Sequence, residues 1–176
     1  MNSTKALGSG STPGETFPAS LGSPAGHGRG NVVLLRPERM AGIVQPAPDR
    51  QTIHLVVALR LLLQQSLLKP RQDWDKACML IAAAPDSPLQ CYAAAFFQGI
   101  EILGTRRFQF FVPQSLEVSN DEMWLVQLIT QLKAANIQNA RILVALRVQQ
   151  RGRRRLLFLA DGLTRGLNQE LIRTAV

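Results

Sequence analysis

The sequence predicts a mainly α-helical fold, a compact multi-helix bundle with at most one or two short strands, preceded by a disordered N-terminal tail. Three observations predict it. Apolar residues after residue 48 recur at three- and four-residue steps, the period of a helix face. Residues 118–137 carry both a helix start and a helix stop. Residues 1–30 are mainly Gly, Ser, Pro, Thr and Ala with no period, so they cannot bury enough surface to offset the entropy of ordering. At 176 residues, the chain then divides into a tail at 1–30 and one helical domain at 31–176.

Within the domain, residues 31–35 form a short Val/Leu run followed by Arg36, Pro37, Gly42, Pro46 and Pro48. Prolines at these intervals exclude a central strand or a helix, leaving an edge strand or an extended arm. Asp49 is placed to cap a helix over 50–69, with Pro70 just beyond it. Its apolar residues, Ile53 to Leu68, occupy most of the circumference, the pattern of a bundle's central helix. A shorter helix is expected over 73–84, closed by Pro85. Ser87 and Pro88 suit the N-cap and first position of another, with Leu89, Tyr92, Phe96, Ile100 and Leu103 on one stripe and Gly104 as its stop.

Residues 105–118 break this period. Arg106, Phe108 and Phe110 alternate with Arg107, Gln109 and Phe111 up to Pro113, which suits a short strand able to pair with 31–35. The best-punctuated helix follows. Ser119 and Glu122 form a capping box, Val118 and Met123 a hydrophobic staple, and Asp121 and Glu122 complement the helix dipole in the first turn. Leu125, Leu128, Ile129 and Leu132 line its stripe, and Asn136 is expected to take the left-handed stop position. A helix over 139–148 should bury Ile142, Leu143 and Leu146. A last one over 153–167 should bury Leu156, Leu159, Ala160, Leu163 and Leu167, with 168–176 as a frayed final turn.

Function is less legible. Phosphate-loop, dinucleotide, zincin and hydrolase-elbow motifs do not occur, so no catalytic residue, cofactor or metal site is predicted. His27 falls in the tail, and His54, in an apolar run, reads as a core histidine. Cys78 and Cys91 lack metal-site spacing and read as small buried hydrophobes. The tail lacks the apolar core of a secretory signal, and residues 53–63 are too short to span a membrane, so a cytoplasmic protein is expected.

Two features remain. The formal charge of +8 points to an acidic partner, and Arg147, Arg151, Arg153, Arg154 and Arg155 form the densest basic cluster. Cations at the start of a helix oppose its dipole, an arrangement a bound anion would relieve. Yet charged residues make up only 18% of the chain, below the roughly 25% of ordinary globular proteins. Such a domain exposes apolar surface or covers it by association. Phe108, Phe110 and Phe111 are the candidate docking residues. The expected function is a small regulatory or interaction protein with a protein partner or a second copy of itself. The alternative is a nucleic-acid-binding regulator using the arginines, although residues 128–145 fit a helix-turn-helix poorly.

Overall fold

The computed structural model describes residues 32–35 and 49–174. The predicted tail at 1–30 and the proline-rich stretch after Leu35 lie outside the described residues. The elements run β1 (Val32–Leu35), α1 (Arg50–Leu67), α2 (Trp74–Ala83), α3 (Leu89–Leu103), β2 (Phe108–Phe111), α4 (Asn120–Lys133), α5 (Ile137–Arg147), a 3-10 turn (Gln150–Gly152) and α6 (Arg153–Thr174). The protein is mainly α, with two short strands in one pair. β1 and β2 run parallel, Val32 beside Phe108 and Leu35 beside Phe111. A parallel pair needs a crossover, here the whole of α1–α3.

Local chemistry starts most of the helices. Asp49 accepts from the Thr52 N–H at 2.8 Å, Asp73 from Lys76 at 3.0 Å and Asn136 from Asn139 at 3.3 Å. Hydrogen bonding from the Thr52 side chain, and then from its N–H, holds the Asp49 carboxyl below the usual carboxylate range. The capping box on α4 is complete: the Glu122 N–H donates to Ser119 Oγ at 3.1 Å, and the Ser119 N–H to Glu122 Oε2 at 2.7 Å. α3 starts one residue later than expected and has no side-chain cap, because the Ser87 hydroxyl donates to the Ala84 carbonyl instead.

The structure departs from expectation in five places. The centre is not α1. α3 packs on α1, α2 and α6, and α6 in turn on α4 and α5, while α1 leaves Leu61 and Leu67 about half exposed. Ala135, not Asn136, takes the left-handed conformation after α4, with φ 53°, because Asn136 is already engaged in capping α5. α5 buries Ala140 and Val144 and turns Ile142 and Leu146 outward; of the predicted face only Leu143 packs, partly buried, against the core. α6 continues to Thr174, past the fraying point expected at 168. His54 is exposed rather than a core residue.

Gly162, in the middle of α6, has a packing reason. A Cβ there would lie 2.1 Å from Tyr92 Cε1, and the Tyr92 hydroxyl is held by the Pro85 carbonyl at 2.9 Å. Alanine would improve helix propensity by about 1 kcal/mol. Displacing the ring costs about 1–3 kcal/mol. Gly162→Ala is therefore expected to lower the urea midpoint; a higher midpoint would mean that Tyr92 moves freely.

Candidate interaction surfaces

The start of α4 gathers the protein's buried charge. Arg60, on α1, donates from Nε to Glu122 Oε1 at 2.7 Å and from Nη2 to Oε2 at 2.9 Å. The same guanidinium reaches the carbonyls of Val112 (3.3 Å), Ser115 (2.6 Å) and Glu117 (2.5 Å), tying down the loop between β2 and α4. Glu122 also accepts from the N–H of Phe111 at 2.9 Å, so with Ser119 its four lone-pair sites are occupied. Beside it, Asp121 accepts from Arg106 (2.5 Å), Arg147 (2.6 Å) and the Gln109 N–H (2.9 Å).

These bonds make α4 a substitute for a neighbouring strand. The N–H groups of Gln109 and Phe111 meet carboxylates, and the Gln109 carbonyl takes the Ser119 hydroxyl at 2.6 Å. One edge of β2 is thus closed by side chains and the other by β1, so no further strand can add to β2. Both carboxylates are buried, Glu122 with all four lone-pair sites engaged and Asp121 with three, so these bonds hold the start of α4 to α1, β2 and α5. Sequence reasoning found their capping role and missed Arg60. A single arginine inside an apolar helix was the available signal.

The predicted arginine cluster is divided by the fold. Arg147 neutralises Asp121. Arg155 pairs with Asp75 and lies over the Trp74 ring, 5.6 Å from its centroid. Arg153 donates to the carbonyls of Val148 (3.0 Å) and Ala145 (3.1 Å) at the end of α5. This relieves part of the dipole conflict raised by the sequence: Arg153, at the start of α6, serves the negative end of α5. Arg151 and Arg154 are exposed and make no ion pair or hydrogen bond among the described residues.

The phenylalanines must be reassigned too. Phe108 and Phe110 have no exposed surface, so neither can dock a partner. Phe108 packs on Trp124, with ring centroids 5.4 Å apart, and Phe110 meets Phe97 edge-on at 5.8 Å. Phe111 is partly buried, 5.9 Å beneath the Arg60 guanidinium. The alternation was real, but its apolar side faces the bundle.

Exposed apolar surface lies elsewhere. A cleft of about 540 Å³ opens between the end of α1, α2 and α3, walled by Leu63, Leu67, Leu80, Ile81 and Phe97, with Lys69, Gln98 and the Arg71–Glu101 ion pair as polar lining. Leu67 is 51% and Leu80 59% exposed; Leu68, just past α1, and Met79 on α2 are more so. Cys91, expected to be buried, is an exposed thiol in this wall. Burial instead pushes the Cys78 thiol up, with Asp75 adding to the effect and Arg155 opposing it. No family model, curated protein or solved structure matches the chain. Among the described residues, no group of His, Cys, Asp and Glu could hold a metal ion, and no helix is long and apolar enough to cross a membrane.

Proposed function

We propose that this is a non-catalytic interaction or regulatory protein whose partner inserts an apolar helix into the cleft between α1, α2 and α3. The observation that carries the reading is the exposure of leucines around a preformed concavity. Leu67 and Leu80 remain about half exposed beside a cleft whose size falls within the range of ordinary binding sites. The low charge density of the chain supports the same reading. A protein partner fits better than a second copy, since a formal charge of +8 makes self-association repulsive. A cytoplasmic location goes with the exposed Cys91 thiol, which reducing compartments preserve. Nucleic-acid binding is the second reading and rests on Arg151 and Arg154, the two members of the cluster without partners among the described residues.

The test compares the full-length protein with the double variant Leu67→Glu/Leu80→Glu. Both side chains are exposed, so the melting temperature should be unchanged. Nuclease-treated complexes isolated through the parent protein should be lost about tenfold or more with the variant, the loss expected on disrupting an interface hot spot. Alkylation of Cys91 should also be slower in the complex than in the free protein. Recovery of no complex, or of one indifferent to both changes, would overturn the reading; a complex removed by nuclease would favour the second.

A further inference from the structure

We infer that the outward face of α5 is a second docking site, one that takes an acidic amphipathic helix of a partner protein. This inference is independent of the cleft. Ile142 and Leu146 stand one helical turn apart, 58% and 66% exposed, on the side opposite the buried Ala140 and Val144. Apolar side chains at that spacing are the anchors a partner helix engages. α5 therefore uses both of its apolar sides, one for the core and one facing solvent.

Charge identifies the occupant. From Met123 to Ala160 the chain contains no Asp or Glu, while cations recur throughout. Lys133 precedes α5, Arg141 lies on it, and Arg151 and Arg154 follow it. All four are exposed and make no ion pair among the described residues. Along the chain, the apolar pair is thus bracketed by exposed cations without ion pairs among the described residues. A second copy would set like charges against each other. A duplex would leave the two aliphatic side chains uncovered, and no exposed aromatic is present on α5 to stack on bases. Two aliphatic residues are also a small apolar area for insertion into a lipid interface. A helix with leucines along one side and glutamates on its flanks satisfies both the apolar pair and the cations.

The probe is a synthetic helix with leucines at i, i+3, i+4 and i+7 and flanking glutamates, titrated into the isotope-labelled full-length protein. Amide shifts should concentrate at residues 138–149. Leu146→Ser should weaken binding about tenfold without changing the melting temperature, as loss of a central anchor does. Arg141→Gln with Arg151→Gln should flatten the dependence on salt, because fewer screened charges take part. The same peptide with lysine for glutamate should not bind. Equal binding of the lysine peptide, shifts elsewhere, or no binding would overturn the inference. Tighter binding of duplex DNA or of phosphatidylserine vesicles at residues 138–149 would overturn it as well.

Discussion

Glu122→Ala is expected to cost about 3–5 kcal/mol, the penalty for leaving one member of a buried ion pair without the other. Domains of this size have total stabilities of about 5–15 kcal/mol, so the variant should be largely unfolded in conditions where the parent is native. The reason lies in what Arg60 would become: a guanidinium 1% exposed, held among carbonyls, with its counter-charge gone. Arg60→Leu should be comparably damaging, since Glu122 would then be the orphan. The double variant Arg60→Leu/Glu122→Leu separates charge pairing from wider hydrogen bonding. A simple buried pair is often replaced by apolar residues without loss. Here the carbonyls of Ser115 and Glu117 and the N–H groups of Phe111 and Ser119 would also lose partners. The Ser119 N–H is buried and would cost about 1–3 kcal/mol unsatisfied, while the partly buried groups of Phe111, Ser115 and Glu117 would each cost less. The double variant should therefore remain destabilised in urea denaturation; recovery of parental stability would reduce the network to its charges.

The same residues show how far local signals reach. Asp49 and the Ser119–Glu122 box were legible because a cap and its partner lie three residues apart, within the span that sequence spacing describes. The α3 stripe was legible because Tyr92, Phe96, Ile100 and Leu103 repeat at the helical period, although Ala93, Ala95, Phe97 and Gly99 widen its buried face. α5 was not, because Ala140 and Val144 bury less conspicuous side chains than the Ile142 and Leu146 they displace outward. An apolar stripe states a need for cover without stating what supplies it. Arg60 illustrates the other limit, with a carboxylate partner 62 positions away in the chain. Arg153 was read against the helix it begins, when its hydrogen bonds serve the helix before it. The cleft was invisible for the same reason: its walls come from three helices, and each leucine alone looks like an ordinary core residue.

Phe110→Ala is expected to cost about 3–5 kcal/mol, the usual range for removing a fully buried phenylalanine ring. Phe110→Glu should leave no cooperative melting transition, because it would bury a carboxylate against the Phe97 ring at a site with no exposed surface. Phe111 provides the control. It is only partly buried and its ring lies under Arg60, so Phe111→Ala should lose less, chiefly packing and a cation–π contact of about 1–2 kcal/mol. Thermal melts followed by circular dichroism would rank the three. Phe110→Glu retaining a parental melting temperature would return Phe110 to the surface and reopen β2 as a docking element. The ranking also bears on function, since a residue required for the folded state cannot be used to test association. Leu67, Leu80 and Leu146 can be so used, because each exposes about half or more of its surface and can be changed without opening the core.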